Sequence, residues 1–153
     1  MLTGRLNSSM KVERLDGDIS RKFLTRDLGF TMKDRFTNIR RNAWVADILA
    51  KNDINVVACF TTPTEAMRRF LKSYLGSKLI LVFCDCSFNK CMKRDVKGLY
   101  SKAMHGLIDN LVGFDIPFDW GHPDDYDIRI DTEFIPPNES FKVLLDSLEL
   151  HLV

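Results

Sequence analysis

Leu15-Asp16-Gly17-Asp18-Ile19-Ser20-Arg21, followed closely by Arg26-Asp27-Leu28-Gly29-Phe30-Thr31, is the part of the chain from which the rest can be read. Two carboxylates flank a glycine at the end of a short apolar run, and an arginine follows one helical turn later. Carboxylates so placed can hold a hydrated metal or accept a proton, and a guanidinium can grip an anion. The layout suits phosphate chemistry. The plainer alternative is an Asx-type turn into a helix, with Asp18 as N-cap and Arg21 in solvent.

Working toward the C-terminus, Gly29 reads as a left-handed cap closing a short helix, and Thr31 to Asp34 as a capping box opening a longer one. Phe36, Ile39, Ala43, Ala46 and Ala50 then recur at helical spacing, with Val45, Ile48 and Leu49 widening the apolar face. Arg35 and Asn38, one turn apart near the start of that helix, either converge on a ligand or form a solvated face. Residues 54–60 and 78–84 are near-continuous apolar runs, as expected of parallel strands covered on both faces. Between them lies a helix with Pro63 near its first turn and Met67, Phe70, Leu71 and Leu75 inward. Strand, helix, strand in that order predicts an α/β fold with right-handed crossovers. Residues 87–94 read as a short helix with Cys91 inward, 95–117 as a mobile lid and 126–130 as a half-buried edge strand. Asn138 is expected to cap a last helix whose stripe is Phe141, Leu144, Leu145 and Leu148.

The sequence has 153 residues, 45% of them hydrophobic and 28% charged, which predicts one soluble domain over residues 1–153. A net charge of +1 gives no bulk argument for nucleic acid or an acidic membrane as partner. No apolar run approaches the roughly 20 residues of a membrane span, and no signal-peptide pattern opens the chain, so the expected location is the cytoplasm. The four cysteines, Cys59, Cys84, Cys86 and Cys91, are expected to be reduced and mostly buried.

The strings LDGD-x-x-R, DLGF, Asp34-Arg35, Asn38-Ile39-Arg40-Arg41, Phe60-Thr61-Thr62-Pro63, Arg94-Asp95-Val96-Lys97-Gly98-Leu99-Tyr100 and Gly113-Phe114-Asp115-Ile116-Pro117 together resemble the adenylylsulfate (APS) kinase family, in order and in spacing. The resemblance runs from about Val12 to about Thr132. It implies a three-layer P-loop NTPase fold of nucleoside-kinase type, with a mostly parallel sheet. The activity implied is transfer of the γ-phosphate of MgATP to the 3′-hydroxyl of adenosine 5′-phosphosulfate, giving PAPS for sulfate assimilation. It implies ATP and Mg2+ as cofactors, APS as the small-molecule partner, and a homodimer. On the same basis Asp16 and Asp18 stand at the reacting centre, with Asp16 meeting the metal through water. Arg21, Phe30, Arg35, Asn38, Thr62, Lys97, Gly98, Leu99, Ile108 and Leu111 form the substrate set. Gly4 and Arg94 fall on the ATP side.

Three features depart from the family pattern. Leu111 stands where a second stacking phenylalanine is usual, and Glu65 where an arginine is common, which leaves another adenylylated or cytidylylated acceptor as an alternative. The P-loop string G-x-x-x-x-G-K-[ST] is not met: counted from Gly4, Ser9 and Met10 take the places of the second glycine and the lysine, and Lys11 comes one place late. Residues 1–4 read as a strand tail ending in a turn at Gly4. From there to a parallel strand at Val12 a crossover of a dozen or more residues is needed. A segment of very roughly twenty residues is therefore expected to be missing near Ser8, which also raises a non-catalytic nucleotide-binding remnant as a reading.

Overall fold

The computed structural model describes residues 2–6 and 10–151, which fall into two compact units, one ending at Leu79 and the other starting at Ile80. In the first unit, helix α1 (Leu2–Leu6) precedes strand β1 (Val12–Asp16), and a one-turn helix α2 (Gly17–Ser20) follows directly. The long helix α3 (Met32–Ala50) leads to strand β2 (Asn55–Cys59), and helix α4 (Glu65–Leu75) comes next. Strands β1 and β2 are parallel, with Val12 opposite Asn55 and Asp16 opposite Cys59. The crossover between them is α3, as a parallel pair requires.

The N-terminal expectation needs correction. Residues 2–6 are helical, so no strand tail and no glycine turn stand there, and Gly4 is exposed with open space where a Cβ would be. A helix that feeds β1 through a short connection needs no second crossover between Gly4 and Lys11. Ser8 and Ser9 lie outside the described residues.

Polar residues, as much as apolar ones, fix α3. Ile39, Ala43 and Met67 form the buried apolar core of this unit with Val12, but α3 also buries Asn38, Asn42 and Asp47, while Ile48 and Ala50 of the expected stripe are exposed. Asp47 is held by Lys51 Nζ at 2.5 Å and by Lys78 Nζ at 3.0 Å. Hydrogen bonds from both lysines pull its carboxyl below the ordinary 3.8, so the folded state favours the ionised form. The stabilisation is present above that value and is lost as pH falls through the lower folded one. Thermal melts of wild type and Asp47→Asn are therefore expected to differ at neutral pH and to converge in acid below pH 3.8.

Helix α4 is capped by Thr64, whose hydroxyl accepts from Met67 N, and Pro63 stands immediately before that cap, near the first turn. Strand β2 is exposed at Ala58 and Cys59, not covered on both faces.

In the second unit, strand β3 (Val82–Asp85) is shorter than the apolar run, because residues 76–78 form a single 3-10 turn. Helices α5 (Phe88–Arg94) and α6 (Leu99–Met104) follow, then strand β4 (Ile128–Asp131), parallel to β3, and helix α7 (Pro137–His151) packed on β4. Ile128 and Ile130 are buried and Arg129 and Asp131 exposed, which is the alternation foreseen for a half-buried strand. Helix α7 starts at Pro137, so Asn138 lies within its first turn and is not the cap. All four cysteines are free thiols; Cys59 and Cys84 are exposed, against the expectation of burial. Cys91 is half-buried, and burial together with the neighbouring Cys86 pushes its thiol up to about 11.

Candidate functional site

Asp16 ends β1 in extended geometry and caps α2 itself, accepting from the Asp18 amide at 2.9 Å. The plainer sequence reading had Asp18 as the cap. Gly17 between them is closely approached: a Cβ there would lie 3.3 Å from the Phe60 ring and 3.4 Å from the Cys59 carbonyl, so its neighbours would have to give by a few tenths of an ångström. The aspartate pair thus stands at the C-terminal end of β1, beside the end of β2, where ligands gather in parallel α/β sheets.

Arg21 follows α2 and donates to the Gly29 carbonyl at 2.7 Å. Its guanidinium lies 4.2 Å from the centre of the Phe30 ring, and that of Arg35 lies 5.4 Å from the same ring. Arg35 Nε also donates to the Phe30 carbonyl at 2.9 Å. Partial burial lowers Arg21 from its ordinary value, while the carboxylates of Asp34 and Asp18 pull the other way. An arginine so shifted remains a cation at neutral pH. Phe30 is 52% exposed, an aromatic ring in contact with two guanidiniums.

Asp34, which the sequence supplied only as a capping residue, has a larger part. Its Oδ2 accepts from the Thr31 hydroxyl at 2.8 Å and would sit 3.0 Å from a Cβ at Gly29. Gly29 has no positive φ, so close approach and not a left-handed cap explains the glycine. Asn38 is neither solvated nor free: its side-chain oxygen accepts from the Thr25 hydroxyl at 2.8 Å and from Asn42 Nδ2 at 3.2 Å, inside the buried core. Thr25 and Asn42 were missed because they belong to a turn and to a helix face read as apolar. The i, i+4 spacing of Asn38 and Asn42 is the signal that would have found them. Thr62 lies in the loop beyond β2, where its carbonyl accepts from Arg68 Nη1 at 3.2 Å, and Arg68 is 1% exposed.

The remaining expected residues belong to the second unit. Arg94 closes α5 and donates to the Thr132 carbonyl at 2.7 Å and toward Cys86 Sγ at 3.6 Å. Ser87 caps α5, and its amide and hydroxyl both reach Glu133 at 2.9 Å, which lowers that carboxyl from its ordinary value. Asp95, with φ +26°, accepts from the Tyr100 and Ser101 amides and so caps α6, which Gly98 enters in the left-handed region at φ +65°. Lys97 is exposed and Leu99 opens α6. Ile108 and Leu111 are half-buried, and the Leu111 carbonyl anchors a tight turn by accepting from the amides of Phe114, Asp115 and Ile116.

A groove of about 450 Å3 in the first unit lies elsewhere, between α3 and α4, lined by Thr37, Arg40, Arg41, Trp44, Phe70 and Tyr74. None of the first unit's expected site residues lines it. No cluster of three metal-ligating side chains occurs among the described residues. Asp16 and Asp18 offer the one or two hard oxygens with which Mg2+ is commonly held, the rest of its shell being water and phosphate oxygens.

The family description "Adenylylsulphate kinase" matches residues 2–131. The adenylyl-sulfate kinase of Halothermothrix orenii is 43% identical over 138 residues, 90% of this chain and 73% of that protein. The probable adenylyl-sulfate kinase of Pseudomonas aeruginosa is 38% identical over 136 residues, 89% of this chain and 62% of that protein. Among solved structures, the Mycobacterium tuberculosis APS kinase CysC in complex with AMPPNP and APS superposes with a TM-score of 0.86 at 32% identity, covering 97% of this chain and 86% of that one. The fold is thus the α/β fold of P-loop NTPases expected from the sequence.

Proposed function

Since the chain belongs to the adenylylsulphate kinase family, we propose that it serves the adenylylsulfate kinase reaction, in which the γ-phosphoryl of ATP passes to the 3′-hydroxyl of adenosine 5′-phosphosulfate. The observation that carries the acceptor half is the Phe30 ring in contact with the guanidiniums of Arg21 and Arg35, with Asp18 near enough to Arg21 to act on its charge. The exposed face of Phe30 takes the adenine by stacking, and the two guanidiniums meet the phosphosulfate oxygens. Asn38 adds an amide on the same side of α3 as Arg35. Asp18 lies by the 3′-hydroxyl and favours its deprotonation as the O–P bond forms. Asp16 would hold Mg2+ through water, and the metal would supply charge neutralisation at the donor phosphates.

Lys97, Gly98 and Leu99 belong to the lid at 95–117, and Thr62, Ile108 and Leu111 are further acceptor residues. Arg94 serves the ATP base. Gly4 drops out of the nucleotide set, since an exposed helical glycine offers no phosphate cradle. A homodimer acting in the cytoplasm completes the reading. The names of the curated relatives favour the sulfated acceptor over the cytidylylated alternative.

Calorimetry tests the acceptor half without turnover. APS is expected to bind more tightly than AMP, and Arg21→Met is expected to weaken APS by about 10- to 100-fold, the usual worth of a charged hydrogen bond. Equal affinity of wild type and variant for APS would remove Arg21, and with it the acceptor site as drawn.

A further inference from the structure

Thr25, Ser20, Asn38 and Asn42 form a buried polar network that joins α2 and its following turn to α3, and its polarity can be worked out from chemistry alone. Asn42 Nδ2 lies 2.8 Å from the Asn38 backbone carbonyl, which can only accept, so the atom there must be the amide nitrogen. The same nitrogen is 3.2 Å from the Asn38 side chain, so the Asn38 atom facing it must be the oxygen. Asn42 Oδ1 is then left to accept from the Ser20 hydroxyl at 2.8 Å, which it does. The Thr25 hydroxyl, 2.8 Å from Asn38 Oδ1, is compatible with either polarity, because a hydroxyl both donates and accepts. Asn42, referred to a backbone carbonyl, is therefore the member that decides which way the Asn38 amide is turned.

The consequence is directional. Both bonds to the Asn38 side chain are taken by its oxygen, and among the described residues its amide nitrogen has no hydrogen-bond partner. Ser20 adjoins Arg21 in the chain, and Arg35 lies one turn before Asn38 on α3, so the network is built on the same segments that carry the two guanidiniums in contact with Phe30. We infer that Asn42 is a positioning residue, which locks Asn38 so that its NH2, and not its carbonyl, is presented to the phosphosulfate-bearing acceptor. This rests on the acceptor reading above. Phosphate and sulfate oxygens only accept hydrogen bonds, so a flipped amide would set oxygen against oxygen.

Two variants and two readouts test it. In Asn42→Asp both atoms at that side chain become acceptors, which favours Asn38 turning its NH2 inward. The apparent affinity for APS then falls with the fraction of molecules still correctly turned, by at least about tenfold. In Asn42→Leu the lock is absent and neither orientation is imposed, so the loss is only about twofold. The second readout is hydrogen exchange of side-chain amides followed by NMR. In wild type the Asn42 NH2 exchanges slowly and that of Asn38 faster, and in Asn42→Asp the Asn38 NH2 becomes protected. A protected Asn38 NH2 in wild type overturns the inference, as does a folded Asn42→Asp protein with wild-type APS affinity. Should Asn42→Asp not fold, the wild-type exchange order and Asn42→Leu decide in its place: a tenfold loss in Asn42→Leu contradicts the lock. Failure of wild type to bind APS would sink the acceptor reading, whereas the exchange order still judges the orientation of Asn38.

Discussion

PAPS formation from APS and MgATP by the 153-residue chain is expected to run at least about a thousandfold below that of the same chain with a glycine-rich loop, its lysine and the first turns of its helix joined ahead of Leu2. The sequence contains no G-x-x-x-x-G-K-[ST] string. Phosphoryl transfer asks little of a protein beyond alignment and charge neutralisation, and the backbone amides of such a loop with its lysine supply both at the donor phosphates. The place for the loop follows from the fold. Helix α1 runs into β1, and β1 lies parallel to β2, so the donor cradle has to enter through the N-terminus of α1 and not between Gly4 and Lys11. The assay is coupled ATP consumption with APS as acceptor, run on both proteins. APS affinity is expected to be alike in the two, because the acceptor residues lie downstream of β1. Comparable turnover in both would show that this chain holds the donor phosphates by other means.

That same N-terminal region shows where sequence reading stops. Four residues containing leucine, threonine and glycine carry no usable period, so the end of a helix and the tail of a strand look alike. By contrast, a few placements in this stretch were legible from local spacing: an aspartate at a strand end, an arginine one turn on, a threonine cap three residues before Asp34. The structure sets the guanidiniums of Arg21 and Arg35 against the Phe30 ring. What the apolar periodicity of α3 concealed was its polar interior. Asn38, Asn42 and Asp47 are buried because each has partners far away in sequence, at Thr25, Ser20 and Lys78, and such partners leave no mark in a helical repeat. The cysteines failed for a similar reason, since an apolar run implies a strand but not which of its residues the chain covers.

Asp16→Asn is expected to separate fold from chemistry at the centre of the site. Asp16 has an observed part and a proposed one: its side-chain oxygen caps α2 by accepting from the Asp18 amide, and in the proposed reaction its charge faces the phosphates. Asparagine caps a helix about as well as aspartate, so the melting temperature should move by no more than the equivalent of about 0.5 kcal/mol. The charge is what the substitution removes. Loss of a carboxylate that organises metal and water costs phosphoryl transfer about a hundredfold or more, so kcat in the loop-bearing protein should fall by that factor. APS affinity should change little, because Arg21, Phe30 and Arg35 are held by the Gly29 and Phe30 carbonyls and not by Asp16. The companion variant Asp16→Ala loses the cap as well, and should add a stability loss of about 1 kcal/mol to the same kinetic defect. A kcat drop that appeared only in Asp16→Ala, with Asp16→Asn near wild type, would assign Asp16 to the turn alone and leave Asp18 as the acidic group of the reaction.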